Sequence, residues 1–204
     1  MALTLIPINL NDPVEYEELR QQRITCGWDN TIQKLSVWQE KQTQGLKSLF
    51  WVTELLPNSK SPFPIRAGHI SLDAYADPID YDLANADKTN LTIQTFFILP
   101  EYRSRGLGSR AIKLIEGMAR SAPYGSSECK YITLNCMSKK YYFDETMGPY
   151  VRRFMPICNQ QWYEKLGYVA WKEEPRYEHT IIEENEERRD VVYDAVFMRK
   201  RLER

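Results

Sequence analysis

Apolar positions along the chain change their period from segment to segment, and each change marks an element. Leu3 to Ile8 alternates, which predicts a strand. Asn11-Asp12-Pro13 then reads as a helix start, a capping residue ahead of a proline, with a glycine stop near Cys26-Gly27. Ile32, Leu35, Val37 and Trp38 fall at helical spacing within Asp29 to Gln44. Leu49-Phe50-Trp51-Val52 is a compact apolar strand, and PNSKSPFP, residues 57–64, is a loop or turn. Ala67 to Leu72 predicts a third strand, the hairpin partner of the second.

Residues 74–89 are acidic and short of large aliphatics, so they read as a loop insertion. Leu91 to Leu99 is the strongest strand, rich in Thr, Ile and Phe and ended by Pro100. Arg110 to Arg120 is a helix with Ile112, Leu114, Ile115 and Met118 as its apolar stripe. Tyr131 to Cys136 follows as a strand, then a long connection over 137–155, rich in aromatic and basic residues. Ile157 to Leu166 predicts a short helix stopped by Gly167. Tyr168 to Trp171 and Val191 to Met198 read as the last strands, joined by an acidic connection that includes Glu183-Glu184-Asn185-Glu186-Glu187. The order βααβββαβαββ is that of an α+β, or mixed α/β, layered fold. At 204 residues the expectation is a single domain, 1–204, with insertions near 74–89, 137–155 and 174–190.

Composition narrows the partners. The net charge of −1 gives no bulk attraction to nucleic acid or an anionic membrane, so neither is expected. No apolar run reaches the length of a membrane span, and the first ten residues lack a basic region ahead of their apolar stretch. Cys26, Cys129, Cys136 and Cys158 form no CxxC pair, and two histidines complete no zinc spacing. Free thiols in a reducing, cytoplasmic setting and no metal are the expectation.

The segment Phe96 to Ser109, FFILPEYRSRGLGS, runs strand, turn, glycine-bearing loop, helix. A helix N-terminus presents unpaired N–H groups and partial positive charge, and glycines let the backbone approach an anion. Arg103 and Arg105 add cationic donors, so the local chemistry favours a polyphosphate. The plain alternative is a glycine-bearing turn with two solvated arginines. A rival cofactor reading exists too: Gly106 to Ala111 satisfies GxGxxA, and Glu128 lies at the distance a dinucleotide fingerprint expects. Context weighs against it, because Thr92, Gln94 and Thr95 interrupt the preceding strand and no βαβ repeat follows.

ILPEYRSRGLGSRAI resembles the acetyl-CoA loop of the GNAT (Gcn5-related N-acetyltransferase) superfamily, and WYEKLGY at 162–168 resembles that family's LYEKLGF segment. The resemblance implies a GNAT-like fold, with a central, mostly antiparallel sheet of about seven strands flanked by helices. It implies acetyl-CoA as co-substrate, its pyrophosphate on the loop amides of Ser104, Arg105, Gly106, Leu107, Gly108 and Ser109, with Arg103 opening the motif. It sets Phe96, Phe97 and Ile98 along the pantetheine and acetyl end, on a strand whose bulge turns an N–H towards the thioester carbonyl. Asn, common in the family seven residues before the tyrosine, is here Pro156.

Tyr163 is the candidate catalytic residue, a phenol able to give a proton to the departing thiolate. Asp144, Glu145, His69 and His179, or a water chain, are the candidate bases, and none is singled out. Cys136 lacks a visible activating partner and reads as a small buried residue. The expected activity is direct N-acetylation of a primary amine, first of a small molecule and alternatively of a protein N-terminus or lysine. A non-catalytic acyl-CoA-binding module is the reading from another class, and a monomer or homodimer is the expected assembly.

Overall fold

The computed structural model describes residues 3–55, 64–182 and 188–203. Most of the 57–64 loop and the Glu183–Glu187 run lie outside the described residues. The chain divides into two compact units, residues 1–132 with 202–204, and residues 133–201.

In the first unit, β1 (Leu3–Pro7), β2 (Lys47–Glu54) and β3 (Ile65–Asp73) form an antiparallel run. Before β2 come α1 (Pro13–Cys26) and α2 (Ile32–Thr43). Asp12 caps α1 by accepting from Val14 and Glu15 N–H, and Gly27 closes it in the left-handed region at φ 85°. Thr31 caps α2, so that helix starts at Ile32, three residues later than the spacing indicates. Leu19, Leu35 and Trp38 from these helices bury against Leu49 and Trp51 of β2, with Ile8 and Leu10 completing the cluster. Residues 74–89 carry no helix or strand.

The strand expected over Leu91–Leu99 is two strands, β4 (Asn90–Thr92) and β5 (Phe96–Ile98), and both pair antiparallel with β3. That split brings the described strands to eight rather than about seven. A 3-10 turn at Pro100–Tyr102 leads to α3 (Leu107–Met118), which starts three residues before the Arg110 that the apolar spacing indicates.

The second unit is α+β as well. There β6 (Tyr131–Met137), which belongs to this unit from Thr133 on, lies beside β8 (Arg188–Arg201), and β8 pairs antiparallel with β7 (Val169–Ile182). Each of the last two strands is 14 residues, far longer than their apolar cores. The acidic stretch after Trp171 is strand because cross-strand pairing, with register shifts at Ala170/Lys172 and Pro175/Tyr177, carries it beyond its hydrophobic portion. The 137–155 connection also folds, into α4 (Lys139–Phe143) and α5 (Gly148–Phe154). Met137, Val151 and Tyr193 form a core beneath them, with Tyr141, Tyr142 and Met147 packed on it. Helix α6 (Asn159–Lys165) completes the unit and ends at Gly167, φ 89°. Among the described residues no helix is long and apolar enough to cross a membrane.

Candidate functional site

The loop between β5 and α3 is built on two left-handed residues, Ser104 at φ 60° and Gly106 at φ 72°. Gly106 supplies that backbone at little cost, whereas at Ser104 the conformation is uncommon for a residue with a side chain. Residues 103–106 are exposed, while the Leu107 side chain is buried. Leu107 therefore offers a ligand only its backbone. No side chain caps the N-terminus of α3, so its first-turn N–H groups, including those of Leu107, Gly108 and Ser109, lack the usual side-chain acceptor. The donor set fits a phosphate group: amides at a helix start, next to cations.

Neither loop guanidinium stands free. Arg103 Nε donates to Ile98 O at 2.9 Å, and the group lies 5.3 Å from the Phe97 ring centre. Arg103 thus clamps the loop back onto β5. Arg105 meets Glu54 at 2.9 Å, and Arg110 approaches the same carboxylate at 3.5 Å. The Arg105 contact is charge against charge rather than an aligned hydrogen bond. Glu54 is 1 % exposed, a buried anion beside the loop. The sequence hides it, because a charge after an apolar run reads as the end of a strand.

Behind the loop, the ladder between β3 and its partners carries one surplus residue. From Asp73 to Ile70 is three steps, while their partners Thr92 and Phe96 are four apart. This is the bulge that the family resemblance leads one to expect. Phe96, Phe97 and Ile98 follow it directly, opposite Ile70, His69 and Gly68. Gly68 permits this close approach.

Polar groups fill the space around the bulge. Thr95 exchanges bonds with Ser71: Ser71 N donates to Thr95 O at 2.9 Å, and Thr95 N donates to Ser71 Oγ at 3.2 Å. Arg23 donates to Thr95 Oγ1 at 2.6 Å and lies 3.3 Å from His69 Nε2. His69 Nδ1 is 2.8 Å from Gln22 Oε1. His69 is fully buried, and burial, then Arg23 and Lys47, push its pKa well below the usual imidazole value. The ring is neutral and enclosed, in keeping with a structural role. Lys47 and Asp73 form a second buried pair at 2.9 Å, their side chains wholly inaccessible. Burial lowers the lysine pKa and raises that of the carboxyl, each shift opposed by the partner's charge.

Tyr163 belongs to the second unit, on α6. It is buried, with edge-on contacts to Trp162 at 4.8 Å and Tyr168 at 5.6 Å between ring centres. Burial, then Cys136 and Tyr177, raise its pKa above the ordinary phenol value, so it is protonated at neutral pH. Burial likewise pushes the Cys136 thiol up to about 12, which leaves no thiolate to act as a nucleophile. Asp144 caps a turn by accepting from Thr146 and Met147 N–H, and Glu145 is exposed. His179 is on β7, with its side chain outside the described residues. Arg152 donates to Tyr142 O at 2.6 Å and so is engaged within its own unit. Near α6 an open groove of about 290 Å³ is lined by Tyr142, Phe143, Ile157, Trp162 and Lys165, among others.

The model of the acetyltransferase (GNAT) family matches residues 29–148, more than half of the chain and the whole bulge and loop region. The chain belongs to the GNAT acetyltransferase family. Among curated protein sequences there is no significant match. Similar solved structures include an aminoglycoside 6'-N-acetyltransferase complexed with coenzyme A, at 13 % identity and TM-score 0.55, covering 100 % of this chain and 98 % of that one. A spermidine N-acetyltransferase chimera from Vibrio cholerae and a second source matches at 12 % identity and TM-score 0.54, covering 99 % and 97 %. The ribosomal L7/L12 alpha-N-protein acetyltransferase RimL matches at 11 % identity and TM-score 0.51, covering 99 % and 94 %. At these identities the likeness is one of fold, and the acceptors named for those proteins span small molecules and protein.

Proposed function

We propose that the protein transfers an acetyl group from acetyl-CoA directly to a primary amine of a small molecule. The observation that carries the donor half is the exposed 103–106 loop leading into the side-chain-uncapped start of α3. On this reading the amides of Ser104, Arg105, Gly106, Leu107, Gly108 and Ser109 hold the pyrophosphate, while Arg103 fixes the loop to β5. Phe96, Phe97 and Ile98 line the pantetheine and acetyl end, and a peptide group at the bulge donates to the thioester carbonyl as charge develops there.

Acetyl-CoA supplies the acyl group as a thioester. The amine attacks neutral, its nitrogen bonding to the acyl carbon as the carbon–sulfur bond breaks and the electron pair passes to sulfur. Tyr163 donates a hydrogen bond to the departing sulfur and so offsets the charge that develops on it. Its raised pKa keeps the phenol protonated, because full transfer to a thiolate with a pKa of about 8.5 runs uphill, and the thiolate takes its proton from water. The amine gives its surplus proton to water. A small acceptor is favoured by α4 and α5, which fill the 137–155 connection with packed helix rather than leaving it extended. Protein acetylation is the second reading, and the family's spread of acceptors keeps it in the test. A thiol-release assay over amines, polyamines, amino sugars, arylamines and peptides decides between them. Turnover on peptides alone would overturn the small-molecule assignment, and CoA binding without turnover on any acceptor would favour a binding module.

A further inference from the structure

The family places a bulge at this point of the sheet, but it does not say what holds the bulge in shape. Here one buried carboxylate reaches both sides of it. Asp73 Oδ2 accepts from Lys47 Nζ at 2.9 Å, from Ser71 Oγ at 2.8 Å and from Gln94 Nε2 at 3.0 Å. These donors come from β2, from β3 and from the bulge itself. Gln94 Nε2 also donates to Tyr75 O at 3.0 Å. Ser71 Oγ, while donating to Asp73, accepts from Thr95 N, so the carboxylate is one hydroxyl away from the last bulge amide. Thr95 is held from a second side by Arg23.

Burying Lys47 and Asp73 is costly, since a close-packed apolar pair of similar volume would hold the sheet as well or better. Geometry gives the charges a purpose. An apolar pair has no preferred direction, whereas a carboxylate with three donors fixes where each donor lies. The surplus residue between Thr92 and Phe96 is the point at which a ladder can slip, and a slip by one residue turns every side chain of β5 to the other face.

We propose that Asp73 is a positioning residue for acetyl transfer: by gripping Lys47, Ser71 and Gln94 together it fixes the bulge between β4 and β5, and with it the aim of the peptide groups that receive the thioester. The inference rests on the donor-site reading above. It predicts a specific signature. Loosening the bulge harms recognition of the acetyl group and the chemical step, while the phosphates, held by the loop beyond β5, are bound as before.

The test uses Ser71→Ala, which cuts the link to Thr95 N–H, and Gln94→Leu, which cuts the other. Both leave the Lys47–Asp73 pair in place. Asp73→Asn is added, and because it strands a buried lysine, Lys47→Met/Asp73→Leu serves as the folded comparison that lacks the grip. Each is measured for kcat and KM in acetyl transfer and for calorimetric affinity towards acetyl-CoA and towards CoA. The expected result is a fall in kcat of about tenfold or more, weaker acetyl-CoA binding, and CoA affinity within about twofold of wild type. Folded Ser71→Ala and Gln94→Leu proteins with wild-type kcat would overturn the proposal, as would equal loss of CoA and acetyl-CoA affinity. A wild-type protein that neither binds CoA nor transfers acetyl would instead sink the donor-site reading, and this inference with it.

Discussion

Gly68 is the position where one added methyl group tests the site most directly. It lies on β3 opposite Ile98, and an ideal Cβ built there would sit 2.1 Å from Phe97 O, 2.9 Å from Ile98 Cα and 3.0 Å from Phe97 C. All three neighbours are backbone, so no side-chain rotation relieves the overlap. Carbon atoms rest at about 3.5–4.0 Å from their neighbours, so Gly68→Ala obliges β5 to retreat by more than about 1 Å. Overpacking of this kind costs about 1–3 kcal/mol of stability. The retreat also moves Phe96–Ile98, and a misplacement of about 1 Å costs roughly 100-fold in rate, or about 2.7 kcal/mol of barrier. The paired control is Gly117→Ala, in an exposed turn of α3 with nothing within 4 Å of the new methyl. There the same substitution stabilises by about 0.5–1 kcal/mol, because alanine favours helix. Urea unfolding and kcat/KM for acetyl transfer measure both variants. A Gly68→Ala protein with wild-type midpoint and wild-type kcat/KM would refute the close-approach argument.

Saturating acetyl-CoA, at about 100 times its Kd, should stabilise the protein by about 2.7 kcal/mol and raise Tm by several degrees, whereas NADH should leave it unchanged; differential scanning fluorimetry with both ligands checks this. Gly108→Glu puts bulk and negative charge at the start of α3 and should abolish CoA binding by calorimetry, with unchanged affinity removing the loop from the site. Tyr163→Phe should lower kcat by about 10²-fold or more while CoA affinity stays within about twofold, and full activity would remove the phenol from the mechanism. His69 has its folded pKa below the unfolded value, so its neutral form contributes stability above about pH 6.5 that is lost as the pH falls below it. Thermal melts from pH 7.5 to 5 should therefore show a fall in Tm that His69→Gln flattens, and equal slopes in the two proteins would contradict the buried, neutral assignment.

Local signals survive folding, and these were legible. The Asp12 cap, the Gly27 stop and the glycine loop before α3 are specified by neighbours in the chain, and the structure keeps each of them. The long β7 and β8 strands were hidden because Lys172, Glu173, Glu174, Arg176 and Glu178 on one and Arg188, Arg189 and Asp190 on the other break the apolar run that marks a strand, and only their pairing with each other shows them extended. The aromatic 137–155 connection gave no sustained period, since α4 and α5 are too short to show one. Around the bulge the blindness has another cause. Lys47, Glu54 and Asp73 stand at the ends of apolar runs, where a sequence reading places strand termini at the surface. Only the pairing of β2 with β3 and the closeness of the 103–110 segment show that these charges are buried and matched.

Glu54 has a consequence for selectivity. A loop bearing Arg103, Arg105 and Arg110 with no anion of its own would attract any polyanion, with an affinity that falls steeply with added salt. Here the protein brings its own counter-ion, buried and held against two of those arginines. If the loop holds the CoA phosphates as proposed, this counter-ion works against non-specific capture of RNA or free polyphosphate. Discrimination would then pass from net charge to the directional amides of the loop, which favour a phosphate group of the right shape. Salt should therefore weaken CoA binding less than three unpartnered arginines would suggest.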